Sequence, residues 1–258
     1  MNQVIQGDCL EVMKTMPDAC IDLTVTSPPY DNLRTYNGYS FDFEGIAREL
    51  YRVTKDGGVV VWVVGDATKN GTESCTSFKQ AIFFKEVGFN LHDTMIYQKQ
   101  NYVPLTHNRY EQAFEYMFVF SKGKPNTFNP IKIPCTYAGT KNSPTFRHNT
   151  DGILGKANTP KPISDFKIMG NIWTFQVGKN KGSKDDIWLH PATFPEKLAE
   201  DHILSWSNEG DTVLDPFAGS GTTLKMAKKN NRNYVGIEIS PEYIDIINKR
   251  LAPPLNPN

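Results

Sequence analysis

The chain has 258 residues, of which 39% are hydrophobic and 22% charged, and its 28 basic residues balance 28 acidic ones. These values are typical of one globular domain, alone or with a sizeable insertion, and exclude a disordered or fibrous chain. The cysteines Cys9, Cys20, Cys75 and Cys135 are far apart, so we expect neither disulfides nor a metal site. No secretory signal or membrane-spanning run is visible, which favours a cytoplasmic protein without membrane contact.

The balanced total hides an uneven distribution of charge. Between Ser121 and Lys184, eleven basic residues face two acidic ones, a net charge of +9, whereas the remainder has 17 basic and 26 acidic residues, a net charge of −9. Such asymmetry suggests contact with a polyanion. A lysine-rich solvated surface explains the charge alone equally well.

Strand and helix signals alternate along the first part of the chain. The β-branched run IDLTVT ends at the turn SPPY, and apolar residues then recur at helical spacing before a buried strand, VVVWVV. The predicted elements are, in order, a strand over 21–26, a helix over 43–53, a strand over 59–64, a helix carrying Phe78, Ile82 and Val87, and strands over 91–99 and 115–123.

The pattern is interrupted from about Lys124 to Gly182, a stretch rich in Pro, Gly, Asn, Thr and Lys that resembles a loop-rich insertion. Regular signals then resume, and they predict a helix over 194–206, a strand over 211–217, a helix over 222–229, a strand over 233–239 and a helix over 244–251. This alternation predicts an α/β fold with a doubly wound, mostly parallel sheet.

The segment VLDPFAGSGTT, Val213 to Thr223, joins a strand to a helix through a glycine-rich turn. Ligands of doubly wound sheets bind outside the carboxyl ends of the strands, so this turn predicts a nucleotide-like cofactor, with Glu238 on its ribose. GK[ST] and the full GxGxxG are absent, and Asp215 would repel a pyrophosphate. A cofactor with a cationic end, such as S-adenosylmethionine, fits better, and a purely structural glycine turn is the alternative.

The turn TSPPY, Thr26 to Tyr30, follows the first predicted strand. Its two prolines make it rigid and remove two backbone donors, so the turn presents acceptors, namely the Ser27 hydroxyl and the Pro28 carbonyl. A planar amine can donate both protons to such a pair, which frees its lone pair to attack a methyl group, while Tyr30 offers a face for stacking. Alone, this motif is more often an ordinary turn.

Together the two motifs resemble bacterial and phage DNA methyltransferases of the beta class, which modify exocyclic amines and in which the catalytic motif precedes the cofactor motif. GDCLEVMKTMPDACIDLTVTSPPY, RVTKDGGVVVWVVGD and HPATFPEKLAEDHI also match that family. The resemblance implies a fold of the S-adenosylmethionine-dependent methyltransferase type. It assigns catalysis to Ser27, Pro28, Pro29 and Tyr30, and S-adenosylmethionine binding to Asp8, Cys9, His190, Phe194, Asp215, Pro216, Phe217, Ala218, Gly219, Ser220, Gly221, Thr222 and Glu238.

The resemblance also implies a division of the chain and a partner. Residues 1–123 would form the catalytic half of the methyltransferase domain, 124–184 a target-recognition insertion, and 185–258 the cofactor-binding half. The partner would be double-stranded DNA, contacted by Lys132, Lys141, Arg147, Lys156, Lys161, Lys179 and Lys181. A cognate restriction endonuclease and either a monomer or a homodimer are compatible with the family.

The base and the reaction class leave alternatives open. Ser27 and Phe194-Pro195-Glu196 resemble members that modify N4 of cytosine, but some enzymes specific for N6 of adenine also carry SPPY. An RNA or protein-amide methyltransferase usually has its cofactor motif first, and intact Ser27, Asp215 and Glu238 argue against a catalytically inactive DNA-binding protein. A nicotinamide-dependent oxidoreductase is more distant, because GxGxxG is missing.

Overall fold

The structure is a computed structural model. It describes residues 2–29, 41–102, 108–142, 146–148, 154–156, 161–176 and 195–253. Within these ranges, no helix combines the length and apolar character needed to cross a membrane. The described part of the chain also holds no cluster of three or more His, Cys, Asp or Glu side chains arranged for a metal ion.

The elements alternate much as the sequence predicts. The helices are α1 (Cys9–Thr15), α2 (Phe43–Val53), α3 (Thr76–Val87), α4 (Glu196–Trp206), α5 (Thr222–Lys229) and α6 (Pro241–Leu251). The strands are β1 (Gln3–Gln6), β2 (Ile21–Thr26), β3 (Thr54–Val64), β4 (Thr68–Lys69), β5 (Thr72–Glu73), β6 (Asn90–Lys99), β7 (Phe114–Ser121), β8 (Lys132–Pro134), β9 (Phe146–His148), β10 (Leu154–Lys156), β11 (Phe166–Ile168), β12 (Ile172–Phe175), β13 (Thr212–Asp215) and β14 (Asn233–Glu238).

The chain divides into two compact units, Met1–Asn129 with Asn171–Asn258, and Pro130–Gly170. In the first unit, eight strands form one sheet in the order β1-β14-β13-β2-β3-β7-β6-β12. Neighbouring strands are parallel except at β7, which is antiparallel to both β3 and β6. The predicted doubly wound, mostly parallel sheet is confirmed.

Helices cover both faces of this sheet. On one face, α1 packs against β14, α2 against β3 and α3 against β7, in a core that includes Met13, Leu50, Trp62, Phe84 and Phe120. On the other face, α4 reaches β7, where the buried His202 Nε2 lies 3.3 Å from Met117 Sδ. Side chains of successive strand residues point to opposite faces. Met117 accordingly contacts α4, whereas Phe118 lies in the core on the opposite face.

The helix α3 forms where it is predicted, but two of the three apolar residues that predict it do not lie in the core. Phe78 and Ile82 are exposed, whereas Ser77, Gln80, Ala81 and Phe84 are buried. Polar contacts explain the burial of the two polar residues, because Trp62 Nε1 donates to Gln80 Oε1 over 2.9 Å and Ser77 Oγ donates to Asp66 Oδ2 over 2.5 Å.

Besides the two- and three-residue strands β4, β5 and β8 to β11, three elements of the main sheet and its helices escape the sequence prediction. β1 and α1 precede the first predicted strand, and β12 lies within the stretch predicted as an insertion without a persistent period. β12 pairs in parallel with β6, from Ile172 against Ile96 to Phe175 against Lys99. Trp173 on this strand is buried, in line with the expectation that aromatic residues belong to cores.

The second unit is built from short antiparallel pairs. β8 pairs with β11, and β9 pairs with β10. Lys132, Lys141, Lys161 and Lys167 are exposed in it. Long, regular elements are absent from the described residues of this unit, as its composition predicts.

Candidate active site

Two turns lie side by side at the carboxyl edge of the main sheet, after β2 and after β13. The strands are parallel neighbours, with Val213 opposite Leu23 and Leu214 opposite Thr24. From β2 the chain continues through α2 to β3 on one side, and from β13 it continues through α5 to β14 on the other. The two turns therefore lie at a topological switch point, where doubly wound sheets bind their ligands.

A hydrogen bond joins the two sequence motifs directly. Thr26 Oγ1 donates to Asp215 Oδ1 over 2.7 Å, across a separation of 189 residues in the chain. Beside it, Thr223 Oγ1 donates to the Val25 carbonyl oxygen over 3.1 Å. All of these groups are buried, and hydrogen bonds are electrostatically stronger in such surroundings than in water. The TSPP turn and the glycine-rich turn are thus held in a fixed relation.

The Asp215 carboxyl is buried, with 1% of the residue exposed. Burial raises its pKa to about 6, against hydrogen bonds from Thr26, Thr223 and the Phe217 backbone that lower it. Phe217 N donates to Asp215 Oδ1 over 3.1 Å. Protein donors therefore already engage this carboxylate, which is still charged at neutral pH and gives the turn a negative potential. Its contact with a cofactor stays a prediction.

Glu238 fixes the glycine-rich turn from the end of β14. Gly219 N donates to Glu238 Oε2 over 2.7 Å, and Ser240 N donates to Glu238 Oε1 over 2.9 Å. Burial raises the pKa of Glu238, and these backbone donors oppose the shift. Gly219 and Gly221 have φ values of 52° and 79°, which glycine adopts without strain.

Residues 7–9, which directly follow β1, lie at the same edge of the sheet. Gly7 N donates to the Glu238 carbonyl over 3.0 Å, and the exposed Asp8 caps α1 by accepting hydrogen bonds from Leu10 N and Glu11 N. The Cys9 thiol packs in the hydrophobic core. Its burial raises the pKa of Cys9 to about 12, so it is uncharged at neutral pH. A role of either residue at an adenine ring stays a prediction.

The TSPP turn follows β2 without a break. Ser27 and Pro29 are half-buried, and Pro28 is buried. Phe217, from the glycine-rich turn, packs against Phe41 and Trp62, with ring centroids 5.7 and 6.2 Å apart. The aromatic residue of the cofactor motif is therefore anchored between α2 and β3. Tyr30 lies outside the described residues.

Sequence reasoning assigned no role to Asp66, which follows β3 at the same edge. Asp66 is buried and accepts hydrogen bonds from Ser74 Oγ, Ser77 N and Ser77 Oγ, which ties the start of α3 to the sheet. An acidic residue almost directly after a fully apolar strand was the available signal. At the end of β6, Lys99 Nζ lies 2.6 Å from Glu115 Oε1 on β7.

The predicted DNA contacts are only partly described. Lys132, Lys141 and Lys161 are exposed in the second unit, in positions open to a polyanion. Arg147 and Lys156 lie on β9 and β10, but their side chains fall outside the described part of the chain. Lys179, Lys181 and the predicted cofactor residues His190 and Phe194 also lie outside it.

Comparison with known proteins identifies the class to which this protein belongs. A family model described as DNA methylase matches residues 21–249. M.BamHII of Bacillus amyloliquefaciens, named an orphan methyltransferase, is 59% identical over 237 residues, covering 91% of this chain and 89% of that protein. The chain belongs to the DNA methylase family, whose members modify N4 of cytosine or N6 of adenine.

Solved structures agree with this assignment. The cytosine-N4-specific PvuII DNA methyltransferase superimposes with a TM-score of 0.73 over 100% of this chain and 88% of its own, at 22% identity, and so supports the fold. TTHA0409 of Thermus thermophilus, described as a DNA modification methylase complexed with S-adenosyl-L-methionine, gives a TM-score of 0.64 at 26% identity, covering 97% of this chain and 94% of its own.

Proposed function

We propose that this chain transfers the methyl group of S-adenosylmethionine to an exocyclic amine of a base in double-stranded DNA, with N4 of cytosine favoured and N6 of adenine next. The hydrogen bond between Thr26 and Asp215 carries the proposal, because it holds the amine-binding turn and the cofactor turn at one point of the sheet. The complex of TTHA0409 with S-adenosyl-L-methionine supports the choice of cofactor.

The chemistry of the glycine-rich turn fits this cofactor. Asp215 and Glu238 both accept hydrogen bonds from its backbone, so the turn carries negative charge, which repels phosphate and attracts a cation. S-adenosylmethionine supplies an electrophilic methyl group on a positively charged sulfur. In this proposal Glu238 holds the ribose hydroxyls, Asp8 and Cys9 lie near the adenine, and His190 and Phe194 cover the methionine end. Residues 215–222 line the bottom of this cofactor site.

The TSPP turn supplies the acceptors for the amine. An exocyclic amine is inaccessible inside a duplex, so the base is flipped out, at a cost of a few kcal/mol. Tyr30 stacks on the flipped base, while the Ser27 hydroxyl and the Pro28 carbonyl accept the two amine protons. The nitrogen lone pair is then free to form a bond to the methyl carbon while the bond between that carbon and sulfur breaks. The sulfur leaves with the bonding electrons as an uncharged thioether, and the surplus amine proton passes to water. Positioning and hydrogen-bond polarisation account for the catalysis.

The basic insertion is proposed to hold the DNA. Lysine and arginine contacts with phosphates displace condensed counterions, so binding weakens steeply with salt. Lys132, Lys141 and Lys161 are exposed as this role requires. A cognate endonuclease, the oligomeric state and a cytoplasmic location stay predictions.

The preference for cytosine rests on residue types. Ser27 stands where many adenine enzymes carry aspartate, and Phe194-Pro195-Glu196 stands in place of a segment such as TQKP. A serine hydroxyl is a neutral acceptor and polarises an amine less than a carboxylate does. The sequence pattern, rather than this difference in polarisation, therefore favours N4 of cytosine.

Nucleoside mass spectrometry tests the proposed function. The protein is incubated with S-adenosylmethionine and unmethylated double-stranded DNA, and a parallel sample contains RNA. We expect N4-methylcytosine in the DNA sample alone. N6-methyladenine would keep the reaction and correct the base, whereas product in RNA only, or in neither sample, would contradict the proposal.

A further inference from the structure

Arg250 lies in the last turn of α6, far from both motifs in the sequence, yet its guanidinium reaches the glycine-rich turn. Nη1 donates to the Ser220 carbonyl oxygen over 2.5 Å, to Ser220 Oγ over 3.1 Å and to Thr222 Oγ1 over 3.3 Å. Only 3% of the side chain is exposed. A charged group is costly to bury and is found inside proteins where it is paired and hydrogen-bonded.

The counter-charge comes from a different segment. Arg250 Nη2 donates to Glu196 Oε1 over 2.6 Å, and Lys225 Nζ on α5 lies 3.0 Å from the same oxygen. Glu196 is the first residue of α4 and lies within the stretch from His190 to Ile203, which resembles the family segment over the methionine end of the cofactor. One planar guanidinium therefore joins the start of α4 to the turn that precedes α5.

Packing at the same place reinforces the contact. Gly221, with φ at 79°, is so close to α6 that an added Cβ would lie 3.0 Å from Ile247 Cγ1. Ile247 is completely buried and precedes Arg250 by three residues, so both side chains lie on one side of the helix. α6 thus contacts the glycine-rich turn with one apolar side chain, Ile247, and one charged side chain, Arg250.

We infer that Arg250 is a positioning residue for the cofactor: it sets the distance between the glycine-rich turn and the start of α4. A tie between α4 and α5 alone would not require it. Lys229 Nζ and Glu200 Oε1 already join these two helices over 2.9 Å, through a lysine side chain that is 62% exposed. The contacts with Ser220 and Thr222 are what Arg250 adds.

The inference rests on the proposed function, because it takes the turn to bind S-adenosylmethionine. Arg250→Lys keeps the charge but removes the fork that serves Glu196 and Ser220 together. We expect the dissociation constant for S-adenosylmethionine, measured by calorimetry, to rise about tenfold, with a matching rise in KM. The kcat at saturating cofactor and the affinity for DNA should stay within about twofold of the wild type.

Lys229→Met is the control, because it removes the ion pair between Lys229 on α5 and Glu200 on α4 without touching the turn. It should leave cofactor affinity unchanged. Glu196→Gln is the second variant, which keeps the shape of the side chain and removes its charge. It should weaken cofactor binding by a smaller factor than Arg250→Lys. This variant tests the inference if Arg250→Lys proves unstable in thermal unfolding.

The outcomes separate the inference from the function. Wild-type protein that binds no S-adenosylmethionine would contradict the proposed function itself. Wild-type binding with unchanged affinity in both Arg250→Lys and Glu196→Gln would overturn the positioning role alone. Equal losses in kcat and cofactor affinity, or equal effects of Arg250→Lys and Lys229→Met, would also overturn it, because either result indicates a general structural role.

Discussion

Asp215 combines burial with a charge that the cofactor turn needs at neutral pH. Burial raises its pKa from 3.8 to about 6, so the folded protein holds this proton more tightly than the unfolded chain does. Protonation thus favours the fold, and the free energy of unfolding falls as the pH rises from about 4 through 6. Above pH 6 the protein bears the full cost of the buried charge, which the donors Thr26 and Thr223 reduce.

Asp215→Asn removes this titration. Between pH 5 and pH 7.5, we expect the stability of the wild type relative to the variant to fall by about 1 kcal/mol. Urea denaturation of both proteins at the two pH values measures the change. A stability difference that is independent of pH would show that the carboxyl is not the titrating group, whatever the constant cost of the substitution.

The sequence singles out individual candidate residues but not the bonds between them. Ser27 directly follows β2, whereas Asp215 and Glu238 are the last residues of β13 and β14. All three stand out because the ends of strands bear the ligand sites of such folds. The bond from Thr26 to Asp215 has no local signal, since the two residues are far apart in the chain. Arg250 resembles any basic residue in the last turn of a helix, and only packing places it at the glycine-rich turn.

Among the helices, α4 depends on a buried neutral histidine. The His202 ring lies 4.6 Å from that of Trp173 on β12 and contacts Met117 on β7. Burial lowers the pKa of His202 to about 3. Because the folded pKa is depressed, this contribution to stability is present above pH 6.5 and is lost as the pH falls below that value.

Replacement of His202 by methionine keeps an apolar, adaptable side chain and removes the titration. Between pH 7 and pH 5, the wild type should lose about 2 kcal/mol of stability relative to His202→Met. Denaturant unfolding across this range tests the expectation. Parallel stability curves for the two proteins would contradict the assignment of a neutral, buried histidine.

The sequence predicts an element where its apolar residues recur at the period of its buried positions. The prediction fails where the buried residues are polar or where the element has only a few residues. The second part of β3, VVVWVV over 59–64, is wholly apolar and was predicted directly, whereas its polar start at Thr54 was not. α3 was predicted from an apolar period that does not follow its burial, because Ser77 and Gln80 are buried through hydrogen bonds while Phe78 and Ile82 are exposed. β12 has four residues at the sheet edge within a stretch rich in turn-forming residues, so no period exposes it.

For the whole molecule, a net charge of zero is the sum of an acidic remainder and a basic stretch between residues 121 and 184. Phosphate contacts made by that stretch would appear in the salt dependence of DNA binding. Each contact should lower the logarithm of the affinity by about 0.9 for every tenfold increase in salt concentration. Total charge therefore does not exclude a polyanionic substrate.

The double variant Lys132→Ala, Lys161→Ala tests this distribution. If each lysine contacts one phosphate, the slope of log affinity against log salt should become shallower by about 2. Lys14→Ala, at an exposed ion pair with Glu11 on α1, is the control and should leave the slope unchanged. A double variant with the wild-type slope would remove these two lysines from the proposed DNA surface.

The central claim is that the TSPP turn performs the methyl transfer, and Ser27→Ala tests it most directly. Single-turnover methylation of DNA should slow about a hundredfold, the usual effect of removing one polarising hydrogen-bond partner. The affinity for S-adenosylmethionine, measured by calorimetry on the same preparation, should be unchanged, because Ser27 contacts the base in this account. A wild-type rate in Ser27→Ala, or an equal loss of rate and cofactor binding, would contradict the account.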